Sequence, residues 1–324
     1  MSGAASAYPA RGRTVWILAQ RPARGGELDP DAPQGVFLER ERLASGAVAS
    51  SGVVLLTNRE CPWRCLMCDL WKGTTRESVP PGAIPRQLEA AVRVWSESGA
   101  LPVQVKLYNS GSFFDPAAIP PADYGPVARR VGFARHVVVE SHPLLVGDRA
   151  KALRDELSGS LEVALGLETA HPEVLAKLNK GFDLAQFSRA AAFLAAEGIA
   201  LRVFLLVGPP FLAGPQALEW VVRSAGHAFA CGAAAVTLIP TRGGNGAMER
   251  LRESGEFAQP ALADLEAAQS AALALGLGRV FADTWGLERF SACPRCFAAR
   301  RDRLEAVNLA QRDAPAVRCA ACGS

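Results

Sequence analysis

No stretch of the chain approaches the ~18 consecutive apolar residues of a membrane-spanning helix, so no membrane partner is expected. The N-terminus lacks the apolar segment of a secretion signal, since Ala4 to Ala10 is short and is followed by Arg11 and Arg13. The expected location is therefore the cytoplasm. An excess of one charge sign is also missing. The net charge of +3 over 324 residues argues neither for nor against a polyanionic partner. Nor is the chain short of apolar residues; 49% hydrophobic and 21% charged residues make a globular composition rather than a disordered one. Its length suffices for one large α/β domain with a small appendage and a sizeable core. Eight cysteines without a secretion signal point to metal or redox chemistry in a reducing compartment, not to disulfides.

Three of those cysteines fall within eight residues, Cys61-Pro62-Trp63-Arg64-Cys65-Leu66-Met67-Cys68. They follow an apolar run, residues 52–57, of strand composition, with Asn58-Arg59-Glu60 as a turn between. A loop this short cannot scatter its sulfurs. Iron–sulfur clusters are held by cysteine thiolates. Three such ligands can hold three irons of a cubane and leave the fourth open to an outside ligand. A structural zinc or plain buried thiols are the competing readings, although zinc ligands more often come as two separated Cys-x2-Cys pairs.

From residue 51 onward, short apolar runs alternate with Ala/Leu-rich stretches of helical spacing. The runs are 52–57, 103–108, 136–140, 161–167, 201–207 and 235–239; the helical stretches are 86–98, 148–157, 172–180, 184–197, 215–231 and 261–275. That alternation predicts βαβ units on a parallel sheet. Six strands suit a partial (β/α)6 barrel, and composition equally allows an open doubly wound sheet. Residues 1–50 read as an N-terminal extension with loop-like Arg21 to Gly26, whose basic residues are expected as a solvated arm. Thr14 to Leu18 suits a strand or a short helix.

In β/α barrels the chemistry gathers at the C-terminal ends of strands. There stand Asn109-Ser110-Gly111-Ser112, a small-residue loop that lets backbone approach a ligand. Glu140 and Glu168 end the third and fourth runs, and buried carboxylates are costly unless they bind something. Their structural alternatives are helix caps or pairs with Arg202. His142 reads as a structural residue. The Gly-rich loop from Ile239 to Gly246 carries Arg242 and suits an anion or a substrate; it lacks the lysine of a P-loop, so no nucleoside triphosphate site is expected.

The Cys-x3-Cys-x2-Cys spacing resembles the signature of radical S-adenosylmethionine (radical SAM) enzymes. The segments 109–113, 140–141, 166–169 and 177–181 look like the branch of the archaeosine-synthase radical SAM subunit and the Elongator catalytic-subunit core. The resemblance covers about 52–245. It implies the partial (β/α)6 TIM-like barrel over 51–285. It implies a [4Fe–4S] cluster on Cys61, Cys65 and Cys68, with S-adenosylmethionine at the open iron. Asn109, Ser110, Gly111 and Ser112 then face the SAM ammonium group, Glu168 the ribose and Lys180 the carboxylate, with Glu140 nearby. The residue before the last cysteine is often aromatic in the family and covers the adenine; here it is Met67, which can still cover a flat ring. The implied partner is a one-electron donor of flavodoxin or ferredoxin type. In the archaeosine enzyme the radical breaks a C–N bond in a lysine adduct on a tRNA base, so tRNA is a candidate partner here. Fold and cofactor do not fix the reaction, however.

Cys293-Pro294-Arg295-Cys296 and Cys319-Ala320-Ala321-Cys322, 22 residues apart, form a second constellation. Two such knuckles resemble a zinc ribbon over 286–324, and an auxiliary [4Fe–4S] cluster is the alternative. Arg300, Arg301, Arg303, Arg312 and Arg318 between them suit phosphates or a solvated face. The expected activity is reductive cleavage of SAM and hydrogen abstraction from a substrate, a modified tRNA nucleoside or else a small metabolite or peptide. A non-catalytic iron–sulfur and zinc module is the other class. No catalytic acid or base is assigned.

Overall fold

The structure, a computed structural model, describes residues 6–323. Residues 1–5 of the expected extension and residue 324 of the expected ribbon lie outside the described residues. The six runs form six consecutive parallel strands: β2 (Val48–Leu55), β3 (Gln104–Tyr108), β4 (His136–Ser141), β5 (Ser160–Glu168), β6 (Ala200–Val207) and β7 (Ala235–Pro240). They stand side by side in chain order, with β1 (Gly35–Arg42) antiparallel at one edge and β8 (Arg279–Ala282) parallel at the other. A doubly wound sheet would reverse its strand order partway. This order does not reverse, and the sheet curls into a half-barrel.

Helices cover the outer face. The expected ones appear as α2 (Ala83–Glu97), α4 (Asp148–Glu156), α5 (Pro172–Lys177), α6 (Leu184–Ala196), α7 (Pro215–Ala230) and α9 (Leu262–Leu273). Their starts are written locally. Proline opens α5 and α7, where a missing N–H costs nothing, and Asp183 with Gln186 makes a reciprocal capping box on α6. Of the two readings of Thr14 to Leu18 the short helix is found, as α1 (Arg13–Gln20), while three helices were not anticipated: α3 (Tyr124–Arg130), α8 (Ala247–Glu253) and α10 (Pro294–Ala310). Among the described residues no helix is long and apolar enough to cross a membrane.

Strand side chains alternate between two faces. The outward set includes Val105, Leu107, Val139, Val163, Leu165, Val203 and Leu205, and it packs with Leu88, Trp95, Leu153, Phe187 and Ala225 of the helices into one core. The inward set mixes apolar residues such as Phe204, Leu206 and Phe281 with charged ones. On β1, β3, β5, β6 and β8 it places Glu39, Glu41, Lys106, Glu162, Arg202 and Arg279 inside the curl. Arg202, 2% exposed, bonds Glu41 at 2.6 Å and Glu162 at 2.5 Å. Lys106 bonds Glu41 at 2.5 Å and also Glu39, and Arg279 reaches Glu162 at 3.3 Å. Burial alone would raise the Glu41 pKa; the charges of Arg202 and Lys106 outweigh it and hold the carboxyl well below its usual range. Strand β1 escaped notice because its inward residues are charged. Strand β8 has only four residues.

Arg202→Met is expected to lower stability by about 3–5 kcal/mol in denaturant unfolding, because it strands two buried carboxylates. Glu41 also sets a pH dependence. Its folded pKa is depressed, so its contribution is complete above the ordinary value of 4.5 and is lost as pH falls through the folded one. Unfolding midpoints of wild type and Glu41→Gln measured from pH 7 downward should converge in acid.

Candidate functional site

The cysteine loop follows β2 and is braced from several sides. The Leu66 amide donates to the Leu178 carbonyl (2.9 Å), Asn179 Nδ2 to the Arg64 carbonyl (2.7 Å), and Asn245 Nδ2 to the carbonyls of Leu66 (2.7 Å) and Cys68 (3.2 Å). Leu66 itself is fully buried in a small cluster with Tyr8, Ile17, Met248 and Leu251. Trp63 stacks on His142 with ring centroids 3.5 Å apart. His142 Nδ1 accepts from the Leu144 amide, so its Nε2 carries the hydrogen that goes to the Lys180 carbonyl at 2.8 Å. Burial pushes the His142 pKa down to about 3, which keeps the ring neutral. It is a prop for the loop, in keeping with its structural reading.

One expectation is corrected here and a second narrowed. The basic residues near the N-terminus are no solvated arm. Arg21 and Arg24 pair with Glu60, the residue before Cys61, and Arg21 also lies over the Trp71 ring at 4.6 Å. The Gly-rich loop after β7 faces the inner cavity through Pro240, Thr241 and Arg242, but its arginine is paired rather than free. Arg242 bonds Asp69 at 3.1 and 3.2 Å, Lys72 donates to the Gly244 carbonyl, and Asn245 holds the cysteine loop. Both segments clamp that loop instead of presenting free cations.

Cys61, Cys65, Cys68 and Met67 line a cavity of about 1030 Å³ on the inner face of the sheet. Ser110, Gly111, Glu140, Glu168 and Lys180 line the same cavity. Asn109 and Ser112 do not; both are fully buried behind it, and Ser112 Oγ lies 2.8 Å from Ser141 Oγ. Glu140 accepts from the Asn109 amide at 2.6 Å and draws the Ser110 and Gly111 amides as well, so it holds the loop's shape. Burial still pushes its pKa up to about 7. Glu168 and Lys180 are paired at 2.6 Å. The expected structural partner of both glutamates, Arg202, is not their neighbour; it is taken by Glu41 and Glu162 deeper in the curl. Burial would lower the Lys180 pKa, but Glu168 and then the nearby Cys65 turn the shift upward. The ion pair explains Gly166, where a Cβ would come within 2.5 Å of Glu168 Oε1 and 2.9 Å of Lys180 Nζ. Glu168 itself adopts a left-handed φ of 68°, beside a register shift in β5. Such a conformation costs a non-glycine residue on the order of 1–3 kcal/mol and persists only where its surroundings hold it.

The residues present suit a three-thiolate cluster with a small polar ligand. Burial pushes Cys61 and Cys65 up to about 11 and Cys68 up to about 12, so without a cation beside them these sulfurs stand as neutral thiols. A Cβ on Gly111 would lie 3.3 Å from the Cys61 Cβ, so the backbone at Gly111 packs closely against Cys61. Both polar side-chain atoms of Asn109, Oδ1 and Nδ2, are buried without a partner. The reading of strand ends overlooked other cavity residues, among them Trp63, Tyr108, Arg301, Asp283 and Trp285. Tyr108 sits at an inward position of a strand text already in view; Asp283 follows the missed strand β8, and nothing near it in sequence singles it out.

A second cluster lies in the tail. The sulfurs of Cys293, Cys296, Cys319 and Cys322 all fall within 4.8 Å of one another and can hold a metal. The interval between the two knuckles is largely the helix α10. Arg300 pairs with Glu266 at 2.5 Å and Arg303 with Asp313 at 2.7 Å. Those two arginines are therefore engaged within the protein, whereas Arg312 and Arg318 are exposed.

No protein-family model matches the chain. An uncharacterized protein of Methanocaldococcus jannaschii is 23% identical over 65% of this chain and 61% of its own. The archaeosine synthase subunit beta of Methanosarcina acetivorans is 28% identical over 56% of this chain and 55% of its own. The chain thus spans about half to three-fifths of these relatives' length. Among solved structures, Elp3 of Methanocaldococcus infernus superposes with a TM-score of 0.50 at 15% identity, over 61% of this chain and 51% of that one, which speaks to the fold alone. In sequence the chain is thus similar to archaeosine synthase beta subunits, and in fold it is similar to the archaeal Elp3.

Proposed function

We propose that this chain is an enzyme that holds a [4Fe–4S] cluster on Cys61, Cys65 and Cys68 and uses it to cleave S-adenosylmethionine. The observation that carries the reading is the shared cavity. Three cysteines of one loop open onto the same space as the Ser110–Gly111 backbone and the Glu168–Lys180 pair. When bound, cluster and S-adenosylmethionine supply a one-electron cleavage to methionine and a 5′-deoxyadenosyl radical, which takes a hydrogen atom from the substrate.

The chain's own part is binding, orientation and exclusion of water. The 109–112 loop, fixed from behind by Glu140, offers backbone carbonyls to an ammonium group. Lys180 keeps N–H donors beyond the one engaged by Glu168, which suits a carboxylate. Glu168 keeps its second oxygen for a diol. Met67 is an adaptable cover for an adenine ring. The paired charges deeper in the curl leave the mouth nearly neutral, which suits a zwitterionic ligand. A flavodoxin- or ferredoxin-type protein is the proposed electron donor.

For the substrate we favour a modified tRNA nucleoside. The support is the name of the curated relatives, archaeosine synthase subunit beta, which also favours a second subunit as partner. Exposed Arg312 and Arg318 are available to phosphates, whereas Arg301 at the cavity wall is paired with Asp302.

Anaerobically reconstituted protein given dithionite and S-adenosylmethionine should release 5′-deoxyadenosine, and Cys65→Ala should reduce release to the protein-free background. Release retained by that variant would defeat the cluster assignment. Binding of tRNA at ~0.15 M salt should weaken steeply as salt rises, since each phosphate contact adds to the slope. A flat slope would instead favour a small metabolite or peptide.

A further inference from the structure

The half-barrel has a seam. Strands β1 and β8 are the two ends of the sheet order and do not pair with each other. Helix α10 packs against both. Its side chains complete the β8 edge as a strand would. The Asn308 amide exchanges two bonds with Ala282, each 2.8 Å, and the Gln311 amide does so with Val280 at 2.7 and 3.1 Å. On the other side, Arg42 of β1 donates to the Leu309 carbonyl at 2.5 Å. Leu304 and Val307 are sealed beneath the helix. Its remaining face, Arg301, Glu305, Asn308 and Leu309, forms part of the cavity wall.

The helix is held at its start by cysteines. Cys293 caps it and Cys296 lies in its first turn. The tail folds back along it, guided by Arg303, which donates to the Ala314 and Pro315 carbonyls. Nothing apolar anchors that tail, for none of residues 311–323 is buried. Asp313, bonded to Arg303 and Ser270, holds its start, and beyond that point the tail is brought in by the meeting of Cys319 and Cys322 with Cys293 and Cys296.

The spacing of those sulfurs distinguishes the metals. Zinc–thiolate bonds are about 2.3 Å long, and a regular tetrahedron of that radius has edges of about 3.8 Å. Cys296 Sγ and Cys322 Sγ are 3.8 Å apart, and no pair among the four exceeds 4.8 Å. A cubane gives each thiolate its own iron and spreads the sulfurs around the whole cluster, so its ligands stand further apart than those of one ion. A disulfide would need about 2.05 Å.

We propose that Cys293, Cys296, Cys319 and Cys322 bind a single zinc ion in tetrahedral coordination, and that this ion clasps α10 across the seam and so fixes one wall of the cavity. The ion is a positioning element and touches neither substrate nor the cysteine loop. This inference rests on the cavity described above but not on the radical chemistry.

The test counts metals and reads amide exchange. A variant lacking the cysteine loop's ligands, Cys61→Ala with Cys65→Ala and Cys68→Ala, should keep one zinc per chain and no iron. Iron in that variant, or no metal, would overturn the assignment. Because iron in the wild type reports separately on the loop, failure of the enzymatic reading leaves this count untouched. In full-length wild type, zinc removal by a chelator should speed exchange of the Val280 and Ala282 amides and of residues 294–310 by about tenfold or more, while β4–β6 amides stay protected, and added zinc should restore protection. Cys319→Ser with Cys322→Ser should reproduce the loosened state. Unchanged exchange along α10 and β8, or equal loss throughout the sheet, would reject the clasp.

Discussion

Charge pairing inside the sheet keeps the site open. A β/α barrel normally fills its interior with branched apolar side chains. Here the inward positions carry three carboxylates, Glu39, Glu41 and Glu162, and three cations, Lys106, Arg202 and Arg279. Each buried charge would be prohibitive alone. Linked together they neutralise one another and line a cavity instead of closing it. The arrangement also leaves little net charge for the mouth to contend with. Electrostatics there is then set by the few groups at the strand ends, chiefly Glu168, Lys180 and Glu140.

The cysteine loop has almost no regular structure of its own, so its shape is borrowed. Residues far apart in the chain grip it: Leu178 and Asn179 after α5, Asn245 before α8, His142 after β4, and Arg21 with Arg24 after α1. Most of these contacts are to the loop's backbone or to side chains other than the cysteines. The thiols are thereby left free to face the cavity, in surroundings where a thiolate is stable only beside a cation. The same economy appears behind the 109–112 loop, where Glu140 fixes three amides so that the opposite side of the backbone can meet a ligand.

Helix α10 shows how a half-barrel copes with its exposed edge. An open strand edge invites pairing with other chains. The amides of Asn308 and Gln311 occupy the β8 edge in the way a further strand would. The tail that returns along this helix has no buried residue among those described, and its two cysteines meet the two at the start of the helix.

Much was legible in the text itself. Periodicity gave all six parallel strands because their outward residues are apolar at alternate positions. The cysteine spacings fixed two metal-binding candidates, since two or three residues between ligands constrain where sulfurs can go. That Glu168 stands at a strand end was legible, but not that Lys180 is its partner. What only the tertiary structure decided is which charges pair and which segments touch. Arg21, Arg24, Arg202 and Arg242 each looked available for another role and proved to be committed to Glu60, Glu41 with Glu162, and Asp69. The physical reason is that local pattern reports the face a residue points to, whereas its partner is chosen by the closing of loops tens to hundreds of residues long, which no window of sequence contains.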